Sequence, residues 1–162
     1  MNEQLVAQLQ RVTDDLDIRR VITDYASFID SRQWDRLREV FADDFAVEYH
    51  NGRTRVEGPQ AVVDYIIENT AHLAWQHHNV TPYGIDISGD EATAQVYLIS
   101  HQVVTDEPEH VLTMVATYDL QLRRAGNSWQ LTFMEHHIKV ATFVPIISTP
   151  PGGAYVPPAV RH

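Results

Sequence analysis

The spacing of apolar residues changes once along this chain, near residue 73, from a helical repeat to alternation, and it does not change back. Helical spacing buries one stripe and alternation buries one face, so helices come first and a strand meander follows. Between residues 3 and 31, Leu5, Leu9, Val12, Leu16, Ile18, Val21, Ile22, Tyr25, Phe28 and Ile29 recur at helical intervals. This predicts one bent helix or two, with Thr13 or Asp14 able to cap the second. A shorter helix is expected in QWDRLREVFA, with Trp34, Leu37, Val40 and Phe41 on one face and Asp43 and Asp44 at its end. FAVEYH then predicts a short strand and NGRTRVEG a turn. Gly58 and Pro59 open a third helix reaching about Leu73, since proline suits the first helical position. GIDISGDEATAQVYLISHQVV predicts two strands joined at Gly89 and Asp90, and VLTMVATYDLQLRR with SWQLTFMEHHIKVATFV two more joined at AGN. The order implies an α+β fold, an antiparallel sheet with helices on one face. A chain of 162 residues forms this as one domain with a core large enough to hold a cavity. The domain is expected over residues 1–144, with a Pro- and Gly-rich tail over 145–162 packing on the pocket mouth or a neighbouring subunit.

Charge narrows the partners. There are 22 acidic and 12 basic residues, a formal net charge of -10, which repels nucleic-acid phosphates and anionic lipid. Without cysteine there is no disulfide framework, thiolate nucleophile or cysteine-bound zinc. The start, MNEQLVAQLQ, lacks a basic segment followed by an apolar run, and no later stretch approaches a membrane span, so a cytoplasmic protein is expected. GxSxG, P-loop and GxGxxG patterns are absent, so nucleophilic-serine and nucleotide chemistry have no support.

Few residues remain that could carry chemistry. Asp30 ends a helix among Tyr25, Phe28 and Ile29, where the helix dipole disfavours a negative charge; it either faces solvent and starts the turn into SRQW or has a specific partner. His77–His78 and His136–His137 each lie on a strand, where neighbours point to opposite faces. Neither pair can therefore chelate one metal through both rings, and HExxH is absent, so no metal site is assigned. One ring of each pair should point inward, and for His136 and His137 a packed core role is expected rather than catalysis. His101 shares a strand face with Tyr97 and Ile99, as a pocket donor or as a polar residue on the outer face. Tyr49 and Tyr118 sit among alternating apolar residues, where tyrosine usually packs with its phenol tip near water.

The run YASFIDSRQWDRLREVFADDFAVEYHNG, a Gly-Pro helix start, QHHNVTPYGIDISGDEATA and TYDLQLRRAGNSWQL together resemble the SnoaL-like branch of the nuclear-transport-factor-2-like superfamily. The resemblance spans about Leu16 to Val144. It implies a cone-shaped fold, a curved antiparallel sheet wrapped on N-terminal helices around one apolar pocket. Local sequence is similar to the scytalone dehydratases (IDSRQWDRLREV, AVEYHN), the hexachlorocyclohexane dehydrochlorinases (FVPIISTPPGG) and the bile-acid dehydratases. In those enzymes an aspartate at the helix end pairs with a histidine at the start of the first long strand. By position these are Asp30 and His78, or His77 if a bulge shifts the register by one. The resemblance gives Tyr25 the place of a catalytic tyrosine in the bile-acid enzymes, and Tyr49 and His101 the places of pocket residues in the scytalone enzymes. The pattern also departs. Scytalone pocket serine and asparagine positions hold Ala116 and Tyr118, its tyrosine beside the aspartate is Ile29, and the dehydrochlorinase arginine and lysine positions hold Met134 and Tyr25. The dyad is kept while the residues that read substrate are not. Tyr49, His101, Tyr118, Trp34, Met134 and His77 are the expected substrate contacts.

A carboxylate bonded to one imidazole nitrogen fixes the tautomer and frees the other nitrogen to act as a base. In a dry pocket it removes a proton beside a carbonyl or a leaving group, while a phenol such as Tyr25 or Tyr49 donates to the departing hydroxyl or the developing enolate oxygen. The resemblance thus implies a cofactor-free lyase on a small hydrophobic cyclic substrate, dehydration first, with double-bond isomerisation and dehydrohalogenation using the same arrangement. A noncatalytic binding or assembly protein is the alternative from another class. Epoxide hydrolysis, which the similar limonene enzymes perform with an arginine and two carboxylates, ranks lower because the inner strands offer no obvious arginine between two acids. The exposed sheet face and the tail point to subunit contacts, and similar proteins are homodimers or homotrimers.

Overall fold

Asn2 starts the first helix by accepting a hydrogen bond from the Gln4 amide at 3.0 Å on its side-chain oxygen. In the computed structural model, which describes residues 2–146, this helix, α1 (Glu3–Asp30), runs unbroken and needs no second cap. Its apolar stripe divides: Leu5, Leu9, Val12 and Leu16 are exposed, while Ile18, Ile22, Tyr25, Phe28 and Ile29 are buried in the core. Asp14 is the hinge of that division. It is buried and takes two bonds from the Arg124 guanidinium (2.7 and 2.9 Å), one from the Trp129 indole N–H (3.2 Å) and one from Gln10 (3.1 Å). These donors hold its carboxyl down at about 2 against burial, which alone would raise it.

The helix α2 (Trp34–Glu39) is shorter than expected, because Phe41 already belongs to β1 (Phe41–Tyr49) and stacks on Phe45 with ring centroids 4.2 Å apart. Asp43 and Asp44 therefore do not end a helix. They sit exposed at a register irregularity between Phe41 and Ala46, where Asp44 pairs with Arg123 at 2.7 Å. The segment expected as a turn contains β2 (Thr54–Glu57), a half-exposed strand antiparallel to β1. Gly58, at φ 88°, and Pro59 open α3 (Pro59–Thr70), which buries Val62, Val63 and Ile66.

Four long strands follow, β3 (Leu73–Ser88), β4 (Glu91–Val104), β5 (His110–Ala125) and β6 (Ser128–Pro145), with β6 running one residue past the expected domain end at residue 144. The part of the proline- and glycine-rich tail beyond residue 146 lies outside the described residues. One six-stranded sheet results, in the order β2-β1-β6-β5-β4-β3. It is antiparallel except where β1 runs parallel to β6, with Val47 opposite Met134 and Glu48 opposite Glu135. The sheet is curved and unclosed, with α1 and α3 against one face, so the α+β cone is as expected. Its inner face carries Val96, Leu98 and Ser100 from β4, Ala116, Tyr118 and Leu120 from β5, and Met134 and His136 from β6. Among the described residues no helix is long and apolar enough to cross a membrane.

Candidate active site

The last residue of α1 meets the edge of the sheet. After Asp30 the backbone turns at Arg32 (φ 55°), whose guanidinium donates to the Leu73 carbonyl at 2.6 Å, while the Gln76 amide donates to the Ile29 carbonyl at 3.0 Å. Two ties thus fix the helix end against the first residues of β3. Being the edge strand, β3 leaves alternate amides without a strand partner, and Asp30 uses one of them: its Oδ2 accepts the His78 N–H at 2.8 Å. Its Oδ1 lies 2.5 Å from His78 Nδ1. A carboxylate only accepts, so Nδ1 carries the hydrogen and Nε2 is left without a protein partner among the described residues. The solvent-facing reading of Asp30 is overturned, since its side chain is 19% exposed and that of His78 12%. His77 is the outward residue of its pair. Its side chain is 55% exposed, stacks on Trp75, and its Nδ1 stays 3.7 Å from Asp30 Oδ2.

His78 forms part of the wall of a cavity of about 190 Å³ between the inner sheet face and the ends of α1 and α3. Ile29, Ile66, Leu98 and Met114 supply apolar wall, but Tyr25, Tyr49, Tyr118, Gln76, Ser100 and His136 also line it, so the pocket is more polar than expected. Four phenols line it, Tyr25, Tyr49, Tyr65 and Tyr118. Tyr118 meets Tyr25 edge-on at 6.0 Å between ring centroids, and Tyr49 stacks on Tyr65 at 5.1 Å. Burial pushes the pKa values of Tyr25, Tyr49 and Tyr118 up, so all three stay protonated and able to donate. His136 packs edge-on against Tyr118 (5.3 Å) and Tyr49 (6.0 Å). Burial first, then the nearby His50, His78 and His137, lower its pKa to about 4, so the ring is neutral near pH 7.

Of the residues expected from sequence, His78, Tyr25, Tyr49 and Tyr118 line this cavity, while Asp30 reaches it only through its bond to His78 and itself lines an outer groove that His78 also borders. Others fall elsewhere. His101 lies on the outer face with Tyr97 and Ile99, because β4 turns its even-numbered residues inward, and its Nδ1 is 3.0 Å from Thr113 Oγ1. Met134 is inward but fully buried between Leu120 and Val47, and Trp34 packs against the outside of the core. His77 faces a shallow outer groove with Trp75. None of these four lines the cavity. Sequence reasoning passed over Gln76 and Ser100 and gave His136 a packed core role rather than a place in the site. The signal was available: Gln76 is two residues from His78, Ser100 two from Leu98 and His136 two from Met134, all on inward positions of period two. The outer residue of the late pair, His137, joins Glu135 (3.1 Å) and Asp119 (3.2 Å) in a half-exposed cluster away from the cavity.

A profile of the SnoaL-like domain family matches residues 10–135. An uncharacterized protein of Mycobacterium tuberculosis strain H37Rv is 22% identical over 130 residues, which cover 80% of this chain and 88% of that protein. Among solved structures, a type 2 hexachlorocyclohexane dehydrochlorinase is similar with a TM-score of 0.77 at 19% identity, over 90% of this chain and 99% of the other. A scytalone dehydratase-like protein from Novosphingobium aromaticivorans gives a TM-score of 0.77 at 18% identity, over 91% and 99%. Identities this low make the structural likeness one of fold. With the family profile running from the first turns of α1 into β6, the chain belongs to the SnoaL-like family, on the cone-shaped fold of the nuclear-transport-factor-2-like superfamily.

Proposed function

We propose that this protein is a cofactor-free lyase that eliminates water from a small cyclic substrate, with Asp30 and His78 as its acid–base pair. The observation that carries the reading is the pair of hydrogen bonds that Asp30 accepts from His78, one from the ring and one from the backbone, with His78 at the wall of a cavity. Asp30 holds the Nδ1 hydrogen, so Nε2 accepts a proton from the carbon beside a substrate carbonyl, and the carboxylate steadies the imidazolium that forms. The electron pair of that C–H bond becomes the new C=C bond, the C–O bond of the β-hydroxyl breaks, and a phenol donates its proton to the leaving oxygen. Tyr25, buried and protonated, takes that part, and the imidazolium returns its proton to the phenolate. The names of the dehydratase-like and dehydrochlorinase neighbours support elimination chemistry on this fold.

A homo-oligomer is part of the same reading, supported by the outer sheet face, which leaves Tyr97, Ile99, Val115 and Val140 exposed. The lack of cysteine fits a cytoplasmic setting. The test is turnover of β-hydroxy cyclic ketones, followed by absorbance of the conjugated product, in the parent, Asp30→Asn and His78→Ala. Loss of turnover in both variants is expected; turnover equal to the parent in both would end the proposal.

A further inference from the structure

Four side chains around the cavity end in polar atoms that bond to nothing among the described residues: Tyr49 Oη, Gln76 Oε1, Ser100 Oγ and both ring nitrogens of His136. Each residue is more than nine-tenths buried. Buried polar groups are paired as a rule, and leaving one unpaired destabilises the fold, so several converging on one space mark where another molecule completes them. They form two groups. Ser100 lies directly across the strand pair from His78, and Gln76 is two residues before it, so these two flank the dyad. Tyr49 and His136 pack against each other on the opposite side. The apolar wall between the groups contains Leu98 and Ile66.

We propose that Tyr49, Gln76, Ser100 and His136 are the recognition set for a neutral, single-ring substrate carrying a hydroxyl group near the dyad and a second polar oxygen at the opposite end. This rests on the cavity being the active site. Size sets the single ring. At about 190 Å³ the space is smaller than the ~300–1,000 Å³ usual for ligand pockets and somewhat larger than the ~150 Å³ that admits benzene. The hydroxyl follows from Gln76. Its Nε2 donates one hydrogen to the Ile29 carbonyl, which fixes the orientation of the amide and leaves Oε1 as an unpaired acceptor, so a ligand hydroxyl that donates there completes it. Neutrality follows from the lining. Among the described residues no lysine or arginine reaches the cavity, so a ligand anion would be buried without a partner. A neutral His136 ring offers one donor and one acceptor, which suits an alcohol or a carbonyl with a neighbouring hydroxyl. A hydrocarbon or halogenated ring would satisfy none of the four.

The test is equilibrium binding of three ring probes of similar shape to the full chain: hydroquinone, p-xylene and 4-hydroxybenzoate. Hydroquinone is expected to bind at least tenfold more tightly than the apolar and the anionic probe. His136→Phe should weaken hydroquinone about tenfold while raising the thermal midpoint of the empty protein, because it deletes unpaired buried nitrogens. Ser100→Ala, a smaller change, should weaken hydroquinone in the same direction. The proposal is overturned by p-xylene or 4-hydroxybenzoate binding as well as hydroquinone, by none of the three binding at millimolar concentration, or by both variants binding hydroquinone as the parent does. Binding is read without turnover, so failure here leaves the dyad standing, and failure of the dyad assay leaves this recognition set standing.

Discussion

Replacing Asp30 by asparagine tests the dyad before any substrate is known. The carboxylate accepts two hydrogens at once, from His78 Nδ1 at 2.5 Å and from the His78 amide at 2.8 Å. Asparagine has one acceptor oxygen. If that oxygen takes the ring hydrogen, the new NH2 faces the backbone N–H, donor against donor, and a half-buried amide loses its only partner at a cost of about 1–3 kcal/mol. If it keeps the backbone N–H, the NH2 donates to Nδ1 and drives the ring hydrogen to Nε2. The second arrangement is therefore favoured roughly 5- to 150-fold, and it blocks the nitrogen that should take the substrate proton. Loss of the charge that steadies the imidazolium adds to this, for a fall in kcat of about 10²–10⁴-fold. Side-chain ¹H–¹⁵N correlation spectra at a pH where the ring is neutral should show His78 as the Nδ1–H tautomer in the parent and Nε2–H in Asp30→Asn. The same tautomer in both proteins, or a kcat within about threefold of the parent, would refute the reasoning.

Asp14→Asn should lower stability by about 2–3 kcal/mol, some 5–10 °C in thermal midpoint, because it weakens the bonds to Arg124 and Trp129. With its folded pKa depressed to about 2 from 3.8, Asp14 contributes stability fully present above pH ~4 and lost as pH falls towards 2, so the parent and Asp14→Asn should converge in acid-unfolding curves there. His136 is also depressed, to about 4 from 6.5, and its contribution is present above pH ~6.5 and lost as pH falls through 4. Denaturant titrations should show the parent losing up to about 3 kcal/mol across that window and His136→Phe losing markedly less. Tyr25→Phe should lower kcat about 10²-fold with KM changed only a few-fold, as expected of a donor engaged in the transition state; an unchanged kcat would remove Tyr25 from the chemistry.

The period change near residue 73 and the Gly58–Pro59 helix start were legible because both are local: the first is a property of consecutive side chains, the second of one backbone angle. Asp30 and His78 were legible only through resemblance to a family, since nothing in their spacing says that a helix end meets a sheet edge. The parallel β1–β6 pairing was not legible, as it joins residues near 47 and 134 with no shared local pattern. Strand β2 was hidden by its composition, TRVE, which an edge strand with half-exposed side chains tolerates. The exposed Leu5, Leu9, Val12 and Leu16 show the reverse error: a stripe continues along α1 past the point where the core stops. His136 was read as a satisfied core residue because the sequence shows that a ring points inward but cannot show that nothing inside answers it.

The parallel strand pair has an evolutionary corollary. Because β1 docks beside β6, the far end of the cavity is assembled from Tyr49 and His136, while the Asp30–His78 pair belongs to the junction of α1 with β3. On the proposed function, changes in the 49–53 hairpin and the middle of β6 would alter which molecules are accepted without touching the base. Substrate choice and proton transfer would then rest on separate strand pairs, each open to change without the other.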